Sequence, residues 1–202
     1  DWGDPRHPGD EYVDEVLHPH VVDLVERYGS SMLWGDGHWG HGPDHWRTRE
    51  LLERIWSIDP GIVLNDRWWA ADDDGPAGRP DTVRTFEYEA PAEIVDEPWE
   101  LCRGLGSSFC HNRAERAEHH LSGHGIVALL TEVVAKGGHL LLGIGPDADG
   151  TVPELQAEPL RDAGRWIRWH EPLLNTSTPW TTWGDEHVRY FDVGGTLHAV
   201  DI

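Results

Sequence analysis

The chain has 202 residues, of which 38% are hydrophobic and 12 are tryptophans, a composition typical of a folded globular protein rather than a disordered one. Asp and Glu number 37 against 16 Lys and Arg, and the formal net charge of −21 repels phosphates, which argues against nucleic-acid binding. No run approaches the roughly 18 apolar residues of a membrane span, and two cysteines, Cys102 and Cys110, are too few for a disulfide scaffold.

The first part of the chain predicts alternating helices and strands. "HPHVVDLVERYG" (18–29) has helically spaced apolar residues and ends in glycine, and "SMLW" (31–34) is typical of a short buried strand. "DHWRTRELLERIWSID" (44–59) predicts a helix with Asp44 as its N-cap, and "GIVLND" (61–66) predicts a second strand. Short connections between such elements indicate βαβ units and a parallel sheet or barrel.

The pattern continues in the second part after a loop. The predicted elements are strands in "TVRTFEYE" (82–89) and "WELCRGLGSSF" (99–109), a buried helix in "IVALLTEVVAKGG" (126–138), a strand in "HLLLGIG" (139–145), and a helix to about His170 that starts at a capping box of Thr151 and Glu154. This gives four or five strands up to Trp180, fewer than the eight strands of a complete barrel.

The last residues follow a different period. "HVRYFDVGGTLHAVDI" (187–202) alternates about the Gly194–Gly195 pair, which predicts a β-hairpin of an all-β domain. We therefore predict an α/β fold, with a parallel sheet or part of a barrel over 1–180 and the first hairpin of a different, all-β domain over 181–202.

Carboxylates at predicted strand ends are the main chemical candidates. Asp36 follows the strand of "SSMLWGDGHWGHG" and shares a side of the extended chain with Trp34, although a surface turn would also explain an aspartate among glycines. Glu87 and Glu89 end the strand in "FEYE". Glycoside hydrolysis needs two such carboxyl groups, one ionised and one protonated, so these residues form a candidate pair.

Two further motifs leave alternatives open. Arg67 in "NDRWW" has the chemistry to bind sugar hydroxyls, and a salt bridge to a neighbouring acid explains it equally well. His38, His41 and His45 form an H-x2-H-x3-H pattern that suggests zinc, but the glycines and the proline between them prevent a shared helical face. We predict no metal site.

Taken together, the sequence resembles the α-L-fucosidases of glycoside hydrolase family 29. The resemblance rests on six runs in the family's order and spacing: "LVERYGSSMLWGDG", "IVLNDRWW", "VRTFEYE", "WELCRGLGSSFCHNR", "LLTEVVAKGGHLLLGIGPDADGTVPELQAEPLRDAGRW" and "TPW". It implies a retaining exo-glycosidase that hydrolyses terminal α-L-fucosyl residues by double displacement, with a fucosylated glycan or glycoside as substrate and no cofactor. The fold it implies is a partial (β/α)8 TIM-like barrel over 1–180, followed over 181–202 by the first hairpin of a C-terminal β-sandwich.

The resemblance also implies roles for single residues. Asp36 matches the nucleophile and Glu87 the acid/base, with Glu89 as the alternative acid/base. Trp34 and Arg67 match sugar-contacting positions, and Phe109 matches an aromatic residue near the fucose methyl group.

The chain departs from the family at three positions. Asparagine is usual where His139 and Gly143 stand, and glycine is usual where Cys110 stands. A catalytically silent carbohydrate-binding relative is therefore an alternative function, with a zinc-dependent hydrolase through the three histidines as a further one.

Other properties are less well defined by the sequence. Because it starts at Asp1 without an initiator Met, we expect the start to be truncated. The N-terminal barrel strands that bind fucose in the resembled family are not in this sequence, so we expect the fragment alone to lack part of its pocket and to be inactive. We expect no nucleic-acid or membrane partner. Both a homo-oligomer and a monomer, and both a cytoplasmic and a secreted location, stay compatible with the sequence.

Overall fold

A computed structural model describes residues 10–36, 41–69 and 82–202. These residues form two compact units, one ending at Val83 and one running from Arg84 to Ile202. The predicted histidine ligand His38 lies outside the described residues.

The first unit contains helices and two short parallel strands. Its elements are α1 (Asp10–Tyr12), a π-helical segment (Val13–Leu17), α2 (His18–Tyr28), β1 (Met32–Leu33), α3 (Pro43–Trp46), α4 (Thr48–Ile58), β2 (Val63–Asn65) and a 3-10 turn (Asp66–Trp68). Strand β1 pairs with β2 in parallel, and Leu64 and Asn65 pair with Thr82 and Val83 at the start of the next strand. The predicted strand–helix–strand alternation is confirmed here.

Apolar stripes on the two longer helices form the core of this unit. Val22 and Val25 of α2 pack with Ile55 of α4 and with Leu33 and Leu64 of the strands. Burial of these aliphatic side chains is the main stabilising contribution, since each contributes about 1.5–3 kcal/mol when fully removed from water.

The predicted ends of these helices are partly right. Helix α2 ends at Gly29, whose φ of 59° gives the left-handed cap that glycine adopts without a steric cost. The single helix predicted over 44–59 is wrong, because Arg47 has a φ of 48° and separates α3 from α4. Asp44 therefore lies inside α3 rather than at an N-cap.

The second unit contains a parallel sheet, two helices and an antiparallel sheet. Its elements are β3 (Thr82–Glu87, which includes the boundary between the units), β4 (Trp99–Gly104), a 3-10 turn (Ala117–His119), α5 (Gly123–Ala135), β5 (Gly138–Gly143), α6 (Glu154–Thr176), β6 (Thr178–Gly184), β7 (Val188–Val193) and β8 (Thr196–Asp201). Strands β3, β4 and β5 pair in parallel in that order.

One face of this parallel sheet packs against α5. Trp99 and Leu101 of β4 are fully buried together with Val133 of α5, and Phe86 and Leu140 pack against them. Side chains alternate along a strand, so the next row, in which Glu87 is paired with Cys102 and Cys102 with Leu141, lies on the opposite face.

Helices α5 and α6 begin differently. Ser122 caps α5 by accepting a hydrogen bond from Gly125 N at 3.0 Å, as expected for a serine at this position. The capping box predicted at Thr151 and Glu154 is wrong, because the residue before α6 is Pro153 and no side chain caps the helix. Glu154 instead forms an ion pair with Arg161, two turns further along α6.

The antiparallel sheet β6–β7–β8 is joined to α5 by an ionic network around Trp183. Lys136 Nζ lies 4.2 Å from the centre of the Trp183 ring, and the Arg189 guanidinium lies 4.8 Å from it. Glu132 on α5 accepts hydrogen bonds from Lys136 Nζ at 2.6 Å and from Arg189 Nη2 at 3.2 Å. Lys136 also donates to Pro91 O at 2.8 Å, so its buried charge is fully engaged.

The predicted hairpin over 187–202 is confirmed, with β7 and β8 joined at Gly194 and Gly195, both of which have positive φ. The fold prediction holds at a coarser level: the described residues contain five parallel strands, with helices between β1 and β2 and between β4 and β5, and a three-stranded antiparallel sheet. That the parallel strands are part of a (β/α)8 barrel, that the hairpin belongs to a β-sandwich, and that the division lies at 180/181 remain predictions. None of the helices in 10–36, 41–69 and 82–202 combines the length and the hydrophobicity that crossing a bilayer requires.

Candidate functional site

Asp36 lies three residues after the end of β1, where it forms an ion pair. Arg67 Nη1 donates a hydrogen bond to Asp36 Oδ1 at 2.8 Å, and the Arg67 guanidinium lies 4.8 Å from the centre of the Trp34 ring. The Asp36 side chain is 41% exposed, whereas that of Arg67 is 18% exposed. Arg67 thus holds one carboxylate oxygen of an aspartate whose side chain stays partly exposed.

The backbone just before Asp36 is held by Asn65, the last residue of β2. Asn65 Oδ1 accepts a hydrogen bond from Gly35 N at 2.7 Å, and Asn65 Nδ2 donates one to Gly35 O at 2.8 Å. Trp68 packs against Gly35 so closely that a Cβ on this glycine would lie 2.7 Å from the indole Cε2. Only a residue without a side chain fits between these groups.

A cavity of about 400 Å³ opens beside this pair, within the size range of small-molecule sites. Its walls include Tyr12, Trp34, Asp36, Arg67 and Trp68. Aromatic faces beside a carboxylate and a guanidinium suit a sugar, because a pyranose has apolar C–H faces and a rim of hydroxyl groups.

A second cavity in the same unit is slightly larger, at about 490 Å³, and is lined by residues of α3 and α4 together with Trp69. Its acidic side chains, such as Asp44 and Glu53, lie on helices. Reactive groups in parallel β/α proteins are presented where strands end, so we place the site at the cavity that contains Asp36.

Glu87 is the last residue of β3 in the second unit, and it is exposed. It belongs to the row with Cys102 and Leu141, on the face of the sheet away from α5. Position at the carboxyl end of a parallel strand is the geometry expected of a catalytic group in a parallel β/α protein.

Tyr88 follows Glu87 with a φ of 59°, which is uncommon for a residue other than glycine. Its hydroxyl donates to Ser107 O at 3.1 Å, its ring makes an edge contact with Phe109 at 5.1 Å between centres, and the Arg103 guanidinium lies 5.2 Å from the ring centre. These contacts hold a conformation that costs of order 1 kcal/mol or more, as residues beside active sites often do.

Glycines let the loop after β4 approach the sheet. A Cβ on Gly104 would lie 2.2 Å from Ser108 O, so this close approach requires glycine. A Cβ on Gly143 would lie 3.7 Å from Phe109 Cδ1, an ordinary contact distance. The Phe109 ring, 41% exposed, therefore lies next to Gly143, one of the positions at which the chain departs from the fucosidase pattern.

The two described histidines of "HWGHGPDH", His41 and His45, pack with each other and with a tryptophan. The His41 and His45 rings stack at 4.1 Å between centres, and both make edge contacts with Trp46. Within the described ranges, no group of three or more His, Cys, Asp or Glu side chains is arranged to hold a metal ion.

The predicted site residues thus fall into two sets. Trp34, Asp36 and Arg67 lie together in the first unit. In the second unit, Glu87 directly precedes Tyr88 in sequence, and Phe109 contacts the Tyr88 ring. Asn65 was not among the predicted site residues, although an amide at the end of the apolar run "GIVL" was a signal. Tyr88 lies between the two glutamates of "FEYE", but no sequence pattern indicates its positive φ.

The amino-acid sequence of this chain is similar to those of known proteins. The sequence model of the family described as alpha-L-fucosidase matches residues 2–171. An alpha-L-fucosidase from Dictyostelium discoideum is 30% identical over 172 residues, which cover 84% of this chain and 37% of that protein.

Solved structures agree with the sequence comparison. The Thermotoga maritima alpha-fucosidase in complex with a mechanism-based inhibitor is 31% identical, with a TM-score of 0.77, over 94% of this chain and 42% of that one. The alpha-L-fucosidase isoenzyme 1 from Paenibacillus thiaminolyticus is 25% identical, with a TM-score of 0.82, over 96% of this chain and 48% of that one. The chain spans less than half of the length of each of these three relatives.

Proposed function

Because this chain belongs to the α-L-fucosidase family, we propose that the protein is a retaining exo-glycosidase that releases terminal α-L-fucosyl residues from glycans or glycoconjugates. The observation that carries the proposal is Asp36, an aspartate just beyond a parallel strand, paired with Arg67 in a cavity walled by tryptophans. The substrate class comes from the relatives, which are named fucosidases.

In the first half of the reaction, an Asp36 carboxylate oxygen attacks the anomeric carbon of the fucosyl residue. The bond from that carbon to the glycosidic oxygen breaks, and protonated Glu87 donates its proton to the departing oxygen. The product is a fucosyl ester of Asp36 and an alcohol. Arg67, bonded to the other oxygen of the carboxylate, keeps the nucleophile oriented during the attack.

In the second half, ionised Glu87 takes a proton from a water molecule, and the water oxygen attacks the same anomeric carbon. The ester bond to Asp36 breaks, which regenerates the carboxylate and releases L-fucose with its original anomeric configuration. Trp34 and Phe109 would contact apolar parts of the sugar.

The nucleophile is tested by Asp36→Gly in the complete protein, assayed with an aryl α-L-fucoside. We expect kcat to fall by roughly 10³-fold or more, since a covalent mechanism loses its attacking group. Sodium azide, which can enter the space left by the carboxylate, should restore turnover and yield a fucosyl azide of inverted configuration.

Asp44→Gly is the matched control, because Asp44 lines the second cavity. We expect it to retain normal turnover. If instead Asp36→Gly keeps near wild-type turnover, the assignment of the nucleophile is wrong. Fucose binding by the unmodified protein without any turnover would identify the carbohydrate-binding alternative, and inhibition by a chelator would favour the zinc hydrolase.

A further inference from the structure

The side chain of Asn65 continues the β1–β2 pairing beyond the end of β1. Backbone pairing between the two strands is last observed between Leu33 and Leu64. Two residues later, Gly35 N and Gly35 O are bonded by the amide of Asn65. A carboxamide has the same donor and acceptor as a peptide group, so it replaces a backbone partner in the ladder.

Asn65 is fully buried, and its two bonds engage both kinds of atom of its amide. A buried amide without partners costs about 1–3 kcal/mol, so the side chain strongly favours the one backbone position of Gly35 that satisfies it. The backbone at Gly35 also has little freedom on its other side, where the Trp68 indole is in close contact.

Three groups that fix Asp36 and its neighbour come from one stretch of four residues. Asn65 bonds the Gly35 backbone, Arg67 bonds the Asp36 carboxylate, and Trp68 packs on Gly35. The end of β2 and the 3-10 turn that follows it therefore together hold Asp36 in place.

We propose that Asn65 is a positioning residue for the nucleophile: its side-chain amide fixes the backbone of Gly35 and thereby the place from which Asp36 attacks. This inference rests on the proposed function. Asn65 itself is too deeply buried to touch a substrate, so it acts on the rate of the chemical step rather than on binding. A displacement of about 1 Å in a reacting group can reduce a rate by about 10²-fold.

The test uses the complete protein with an aryl α-L-fucoside and two variants. Asn65→Ala removes both hydrogen bonds, and we expect kcat to fall by roughly 10- to 100-fold while KM changes by less than about threefold. Ile55→Val is the matched control, since Ile55 is equally buried in the same unit but has an aliphatic side chain that forms no hydrogen bond with Gly35 or Asp36. It should lower the melting temperature and leave kcat unchanged.

Asn65→Asp gives a readout that a purely structural role would not produce. When protonated, the new carboxylic acid accepts from Gly35 N and donates to Gly35 O, as the amide does. When ionised, it has no proton to donate and repels the Gly35 carbonyl. The ratio of kcat for this variant to kcat for the wild type, measured on protein shown by circular dichroism to be folded, should therefore rise as the pH falls.

A ratio that does not change with pH overturns the proposal, and so does an Asn65→Ala variant with wild-type kcat or with an effect confined to KM. Asn65→Asp decides the question even where Asn65→Ala does not fold, because it keeps the shape of the side chain. Asp36→Gly, assayed in parallel, separates the two proposals. Full turnover by Asp36→Gly would rule out Asp36 as the nucleophile. If Asp36→Gly is inactive while the kcat ratio of Asn65→Asp does not change with pH, only the role proposed for Asn65 is ruled out.

Discussion

Glu87 and Glu89 are two residues apart, yet the backbone between them does not continue β3. Tyr88 has a left-handed conformation, and Glu89 N donates a hydrogen bond to Glu87 O at 2.7 Å, so the chain turns sharply. In an extended strand the two glutamates would share a face, but this turn ends the alternation. Of the two candidate acids, only Glu87 belongs to the strand, and this favours Glu87.

Substrates with different leaving groups distinguish the two glutamates. Glu87→Gln should reduce kcat/KM by roughly 10²- to 10⁴-fold for a fucoside with a poorly acidic alcohol as leaving group, because that oxygen needs the proton. An aryl fucoside with a very acidic phenol should be cleaved in the first step at nearly the normal rate. Burst kinetics and kcat/KM values for both substrates measure this.

Glu89→Gln is the isosteric control and should retain wild-type values with both substrates. The reverse pattern, with Glu89→Gln sensitive to the leaving group and Glu87→Gln normal, would transfer the acid/base role to Glu89.

At the scale of elements, the contact between α5 and the antiparallel sheet depends on ionisation of Glu132. Burial by itself raises the pKa of Glu132, but the hydrogen bond and charge of Lys136 and those of Arg189 outweigh burial and hold the pKa below its ordinary value of 4.5. A carboxyl group with a lowered pKa in the folded state stabilises that state at higher pH. This stabilisation is lost as the pH falls below 4.5 through the lowered pKa.

Glu132→Gln should therefore reduce the free energy of unfolding by about 1–2 kcal/mol at neutral pH. This is less than for a fully buried pair, because the Glu132 side chain is 27% exposed and solvent screens it. The difference from the wild type should shrink as the pH falls below 4.5, because the wild-type carboxyl is then neutral as well.

Thermal unfolding at neutral and acidic pH measures this difference. Asp23→Asn removes the carboxylate of an exposed ion pair with Arg27 and should change the melting temperature little at either pH. A Glu132→Gln effect of the same size at both pH values would contradict the ionic origin of the stabilisation.

The elements also show which parts of the fold the sequence could predict. Apolar stripes predicted α2 and α5, and the Gly194–Gly195 pair predicted the hairpin, because these signals are local. The break at Arg47 was not predicted, because no sequence pattern indicates a positive φ at an arginine. The start of α6 was not predicted correctly either, because Thr151 and Glu154 match the capping-box pattern but Pro153 is the residue before the helix and no side chain caps it.

The same distinction applies to the site. The strand-end position of Asp36 could be predicted, because a short apolar run followed by glycines is visible in the sequence. The hydrogen bonds between Gly35 and Asn65 could not be predicted, because they join residues 30 positions apart and local sequence patterns report only on near neighbours.

For the whole molecule, the proposed double displacement predicts the stereochemical outcome. Proton NMR of the reaction of the complete protein should show α-L-fucose as the first anomer formed, before mutarotation. A crystal structure of the complete protein should place the carboxyl groups of Asp36 and Glu87 roughly 5–5.5 Å apart. An inverted first product, or a separation of roughly 6.5–9.5 Å, would indicate a single displacement instead.

The two cysteines of these 202 residues differ in one useful respect. Cys102 is buried in the row beside Glu87, whereas Cys110 is exposed and directly follows Phe109. A thiol-specific fluorophore should therefore attach at Cys110 and leave Cys102 unmodified under native conditions. Such a label would lie one residue from the proposed fucose-contacting ring and would convert ligand binding into an optical signal that needs no turnover.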